Sequence, residues 1–269
     1  MFASYCFLLW HIWPSYGSES GWSMQSDEDE GIFKSLVQHA ERGDATAQSL
    51  LAQDYFYGTH GVKKDIHTAI RWAEAAADAG DRDAQELLAV AFGRGHEDLL
   101  QDPGRAVQYG IKAASQGSIK SAELLGKLYY NGTGLEHLSR EERMTNALKW
   151  FRSAAREGSL TAQNDLADMY RMGQGTNLDY TEAKYWYQKV VGEMNSVLSA
   201  DHKLPSATRN RTAVARAFNS LGALYALGQG TDKNLKKAAE YLEQAKALGH
   251  PHAAQNLKKL GLKDAPGEL

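Results

Sequence analysis

Three Gly-x-Gly triplets, Gly132–Gly134, Gly173–Gly175 and Gly228–Gly230, are the residues whose spacing most resembles a chemical motif. Glycines so placed let backbone amides close on a phosphate. A dinucleotide fingerprint also needs a preceding strand and a third glycine. Neither is present, and the stretch from Gly228 to Lys233 is too short for a P-loop. The triplets recur at one fixed place in a longer pattern, which predicts a structural turn. His250 and His252 form the nearest thing to a metal-ligand pair, but a site needs three or four converging ligands. Cys6 is the single cysteine, so no intrachain disulfide can form. It lies outside the pattern, which argues against a nucleophile. Trp72, Trp150 and Trp186 also keep a fixed place, as core residues do. The expectation is therefore no enzyme, no cofactor and no metal. Asn131–Thr133 and Asn210–Thr212 match the N-glycosylation triplet, which matters only in a eukaryotic secretory pathway.

The pattern that holds the glycines is a repeat. Its first frame is Ala, then Leu four later, an aromatic four later and Gly three later. It reads Ala47-Leu51-Tyr55-Gly58, Ala84-Leu88-Phe92-Gly95, Ser121-Leu125-Tyr129-Gly132, Ala162-Leu166-Tyr170-Gly173 and Ala217-Leu221-Tyr225-Gly228. A partial copy starts at Ala253-Leu257. These offsets lie on one face of an α-helix, and the Gly suits a helix C-terminal cap. A second frame follows each time: Ala69-Trp72, Ala106-Tyr109, Ala147-Trp150, Ala183-Trp186 and Ala238-Tyr241. Cap-type residues Asp65, Asp102, Asp179 and Asn234 precede it by four. In the third copy Ser139 and Glu142 form a capping box instead.

Each unit is thus helix A, a glycine turn, helix B and a short link. Because a lone helix pair cannot bury its apolar face, the units must stack. The spacing predicts an all-α, right-handed superhelical solenoid of antiparallel helix pairs, with five repeats plus terminal half-repeats. The array spans about 31–262, with half-units at Ile32–Gly43 and Ala253–Leu260. Gly58, Gly95 and Gly132 are 37 apart; the next steps are 41 and 55. The extra length falls mostly in an insertion at about 193–211, read as a loop (Asn195–Arg211) or as an extension of the preceding helix B. There Val190-Val191 replace the usual small pair, and Met194 stands where a closing Gly is expected.

Charge and hydropathy bound the rest. A net charge of -3 and a pI near 6.3 argue against a nucleic-acid binder. No apolar run reaches the length of a membrane span. Residues 1–30 are a leader. Its stretch Met1–Trp13 has the apolar character of a signal or anchor but lacks a preceding Lys or Arg. Met24 is an alternative start, and membrane association follows only if the apolar stretch is an anchor. The acidic run Asp27–Glu30 suits a helix start. Residues 263–269 are a tail. A monomer in the cytoplasm is the expectation, with export as the alternative.

The two frames together, with the turns GTGL at Gly132 and GQGT at Gly173 and Gly228, resemble the Sel-one-like repeat family, a relative of the tetratricopeptide repeats. The resemblance covers Ile32 to Leu260. It implies a scaffold or adaptor that binds a protein or peptide partner, with a secreted or envelope regulator as the alternative. Some secreted members carry paired cysteines in each repeat. This chain has none, so the hydrolase reading of that branch ranks last.

In related solenoids the exposed side of helix A lines the concave face. That places Gln53, Phe56, Tyr57, Glu86, Lys127, Tyr130, Asn131, Asn164, Asp168 and Arg171 in a groove for a peptide-like partner. The insertion is the second candidate surface.

Overall fold

The computed structural model describes residues 27–96, 98–193 and 205–261, with the backbone alone at 27–30 and 205–207. The described residues form helices and no β-strand. A leading half-unit, α1 (Asp27–Glu41), starts at the acidic run and is followed by five helix pairs. Unit one is α2 (Ala45–Tyr57) and α3 (Ile66–Asp78); unit two is α4 (Arg82–Arg94) and α5 (Pro103–Ser115). Unit three is α6 (Ile119–Asn131) and α7 (Arg140–Arg156); unit four is α8 (Leu160–Met172) and α9 (Tyr180–Gly192). Unit five is α10 (Pro205–Leu227) and α11 (Leu235–Ala247), and α12 (Ala253–Lys259) ends the array.

Capping side chains set where these helices begin. Asp65, Asp102, Asp179 and Asn234 each accept a backbone N–H from the first turn of a B helix. Ser139 and Glu142 make both bonds of the capping box. Asp44, Asp81, Ser118 and Ser159 do the same work for the A helices, accepting from Ala47, Ala84, Ser121 and Ala162. Loss of one such cap costs about 1 kcal/mol.

The repeated apolar positions make the core. Leu51, Leu88, Leu125, Leu166 and Leu221 are buried in successive A helices, and Ala69, Ala106, Ala147, Ala183 and Ala238 are buried in the B helices. Each buried leucine contributes roughly 1.5–3 kcal/mol, and each alanine lets helix axes close up. Trp186 is buried, while Trp72 and Trp150 are half-buried and packed against the core. Val107 packs against the clusters of both halves, so the core is continuous along the array.

Each A helix also touches the A helix of the next unit, from α2 on α4 through to α8 on α10, whereas B helices pack on A helices. The A helices therefore line the inner side and the B helices the outer. The second glycine of each triplet is what lets units close. Gly134, Gly175 and Gly230 have φ of 72°, 67° and 65°. A Cβ there would fall under 3.0 Å from Pro103, Met144 and Tyr180 respectively, each in the first turns of the previous unit's B helix. The triplets are structural on both counts: a left-handed backbone and a close approach of chains.

Two readings of the insertion need correction. Helix B of unit four does not run on into it: α9 ends at Gly192, and the Glu193 N–H closes onto Val190 and Val191. Nor is the far half a loop. Pro205–Arg211 are the opening turns of α10, where proline's missing N–H does no harm. Residues 194–204 lie outside the described residues, as do the apolar stretch Met1–Trp13, Cys6 and the tail. Unit two lacks the second turn glycine and closes its turn differently. His96 N–H donates to Leu99 O at 2.7 Å, and Leu99 N–H returns to His96 O at 3.0 Å.

Candidate functional site

The inner face consists of A-helix positions two, six and nine after the frame's Ala. Position two is largely taken up by joints between units. Glu86 accepts Ser118 Oγ at 2.7 Å and pairs with Lys120 at 3.0 Å. Glu123 accepts Ser159 Oγ at 3.0 Å. Asn219 accepts from Asn256 at 2.8 Å. Asn164 is fully buried and donates to Leu160 O and Ala213 O, at 3.2 and 2.9 Å. It is therefore not a groove residue. Helix α10 lies directly over it, and a side chain sealed between two A helices cannot meet a partner.

A second set of joints escaped the sequence reading. Gln48, Gln85 and Gln163, each next to the frame's Ala, donate back to Ala40 O, Ala77 O and Ala155 O at 3.0–3.2 Å. The recurrent Ala-Gln dipeptide was the available signal. Each of these carbonyls, at the end of the preceding B helix or of α1, also accepts a backbone N–H from Gly80, Gly158 or Gly43, so the glutamine adds a second bond that ties the next unit to it.

Asp168 and Arg171 belong to a polar cluster at the joint between units four and five. Arg216 donates to Asp165 at 2.8 Å and also binds Asp168. Arg171 reaches Asp168 at 3.2 Å, and the Tyr187 hydroxyl donates to the same carboxylate. Burial pushes the Asp165 carboxyl above the usual range, with Arg216 opposing. Burial also pushes the Tyr187 hydroxyl up, reinforced by Asp168. Burial works against the charge on Arg216, but Asp168 and Asp165 outweigh it and hold the guanidinium above its ordinary value. Asp165, Tyr187 and Arg216 were not foreseen. They lie off the repeated positions, and α10 reaches α8 across an insertion whose length hid the register.

The remaining inner-face residues are freer. Lys127 pairs with Glu123 of its own helix at 2.5 Å. Phe56 meets Tyr57 edge-on at 5.1 Å and His96 at 6.3 Å. Tyr57 is 57% exposed. Among the described residues the side chains of Gln53, Tyr130 and Asn131 have no hydrogen-bond partner. Phe56 and Tyr130 pack partly against the core, so units one to three present the exposed Tyr57 and Asn131 together with the open sides of Gln53, Phe56 and Tyr130. Also among the described residues, no group of three or more His, Cys, Asp or Glu is placed to hold a metal, and no helix is long and apolar enough to cross a membrane.

Solved structures of the same architecture are similar to this chain. A Sel1 repeat protein from Oxalobacter formigenes is 22% identical with a TM-score of 0.63, over 90% of this chain and 93% of its own. The protective antigen c5321 of uropathogenic Escherichia coli strains, which displays an SLR fold, is 26% identical with a TM-score of 0.55. The match covers 87% of this chain but 53% of that one, so this chain spans about half its length. The sequence model of the Sel1 repeat matches residues 45–81, 82–118, 119–159, 160–189 and 216–250. Such arrays generally serve as scaffolds for protein–protein interaction. The matched segments are the five helix pairs, except that the last two leave out the insertion between them: the chain belongs to the Sel1 repeat family.

Proposed function

We propose that the protein is a scaffold whose inner face, over units one to three, holds an extended segment of a protein partner. The observation that carries this reading is the contrast along the A-helix face. Glu86, Asn164, Asp168 and Arg171 are engaged by neighbouring side chains or helices. Among the described residues the side chains of Gln53, Tyr130 and Asn131 have no hydrogen-bond partner, Tyr57 is 57% exposed, and Tyr130 is only partly buried against the core. Aromatic rings and amides with free hydrogen-bonding capacity suit peptide recognition, because the rings supply contact area and the amides fix the backbone. Lys127 borders the same strip and adds one cation, partly offset by Glu123. The role requires binding and no turnover.

The test is selection of a random peptide library on the immobilised chain. Enriched peptides should bind about tenfold more weakly to a Tyr57→Ala/Tyr130→Ala variant that keeps its helical circular dichroism. If every enriched peptide binds that variant as well as wild type, the inner face of units one to three is not the site.

A further inference from the structure

We infer that the outer face of α7 is a second docking surface, one that takes an acidic, extended segment of a protein partner. The inference rests on the scaffold reading in that the partner is a protein, but it concerns the opposite side of the solenoid.

Lys149, Arg152 and Arg156 fall on one face of α7, three and four residues apart, and with Ser153 and Glu157 they line a shallow open depression. They spread about 10 Å along the helix axis. Among the described residues no carboxylate lies within 4.0 Å of any of the three. Arg152 is held in place by donating to the Tyr170 hydroxyl at 2.8 Å. The Lys149 ammonium lies over the Trp150 ring at 4.9 Å. Both heads are thus partly positioned before any ligand arrives, which lowers the entropy cost of binding.

The flanking B helices extend the same sign. Lys112 on α5 and Lys189 on α9 are exposed, each over an aromatic ring of its own helix. Helix α5 contains no Asp or Glu. In α7 and α9 the acids within the helix are Glu141, Glu142 and Glu182, all in the first turn, where the helix dipole accounts for them. Glu157, just past the end of α7, bounds the patch. The outermost units carry a net negative charge at these places. Those of Lys149, Arg152 and Arg156 are held by Arg71, Glu74 and Asp78 in unit one and by Glu240, Glu243 and Ala247 in unit five.

A solvated helix face in a chain of net charge -3 has no need to gather its cations this way. The dipole accounts for Arg156 in the last turn, but Lys149 and Arg152 sit mid-helix and gain nothing from it. Charge complementarity therefore selects an anionic partner. An extended segment carries the side chains of one face about 7 Å apart, so two of its carboxylates reach all three cations.

The test is fluorescence anisotropy of a labelled octaglutamate peptide titrated with the full chain. Saturable binding at about 50 mM salt is expected, weakening about tenfold or more by about 200 mM. A Lys149→Glu/Arg156→Glu variant should weaken it similarly at low salt, and Lys149→Gln/Arg156→Gln less so, with circular dichroism showing both folded. Tyr130→Ala should leave it unchanged. Absence of binding at low salt overturns the inference, as does equal binding by the charge-reversed variant. Binding to anionic lipid vesicles without binding to octaglutamate also overturns it. Loss of peptide binding in Tyr130→Ala alone would move the site to the inner face, sinking this inference while sustaining the first.

Discussion

The joints between units one to four and the joint between units four and five are built from different materials. Where the link is short, an uncharged cap or a buried glutamine binds the neighbouring unit: Ser118 on Glu86, Ser159 on Glu123, and Gln85 and Gln163 on the preceding B helix or its end. Across the insertion the frame's Gln is replaced by Phe218, and Arg216 takes over by reaching two carboxylates of α8. Ion pairs occur at short links too, Arg105 with Glu74 and Lys120 with Glu86, but each is a single pair beside the neutral donors, because a short link delivers the next helix already placed. After a long insertion the closure entropy is larger, and stronger, charge-assisted bonds hold α10 in register. The two kinds of joint should respond differently to cavity, salt and acid.

The largest effect belongs to the shared core. Leu125 is fully buried in α6. Leu125→Ala should lower unfolding free energy by about 2–5 kcal/mol, measured by urea denaturation. The loss should be the same at low and high salt, because no charge is involved. A marked salt dependence would mean that the substitution also disturbs a charged contact, such as the Lys120–Glu86 pair at the same joint.

Breaking the ionic joint comes next. Arg216→Met leaves Asp165 and Asp168 close together, with Arg171 the cation still bound to Asp168. A fully buried pair broken this way loses about 3–5 kcal/mol. The Arg216 side chain is 38% exposed, so screening lowers the expectation to about 1–2 kcal/mol. Hydrogen exchange should rise in α10, α11 and α12 while α2 to α6 stay protected, since each unit contacts chiefly its neighbours. Uniform loss of protection would show that the joint has no local role.

This contrast also explains what could be foreseen. Ala84, Leu88, Phe92 and Trp72 repeat, so periodicity alone locates the helices and their buried faces. The B-helix caps and the Ser139–Glu142 box were legible because cap chemistry is local. The inner face was legible only in part. Counting from Leu picks out a side of helix A, but it cannot tell Gln53, which is partly exposed, from Asn164, which α10 buries. Whether a position is covered depends on the next unit's placement, and across the insertion no spacing rule reports that placement. Arg216 carries no repeat signal for the same reason: the column it occupies holds Thr46, Asp83, Lys120 and Thr161 in the other units.

The smallest effect is the most informative about the ionic joint. Burial raises the Asp165 carboxyl, and Arg216 only partly reverses this. A carboxyl whose folded pKa lies above its unfolded one takes up its proton more readily in the folded chain. Its ionised form therefore opposes folding, and that opposition sets in as pH rises from the ordinary carboxylate value through the raised one. Asp165→Asn removes the buried charge and keeps an oxygen that can accept from Arg216. At neutral pH its stability should stay within about 1 kcal/mol of wild type. As pH falls from about 7 to about 4, wild type should gain relative to the variant. Urea midpoints for both proteins across that range decide the matter. If wild type instead loses ground to Asp165→Asn on acidification, the Arg216 attraction exceeds the burial cost, and the joint is stabilised by its charges outright rather than held in register by them.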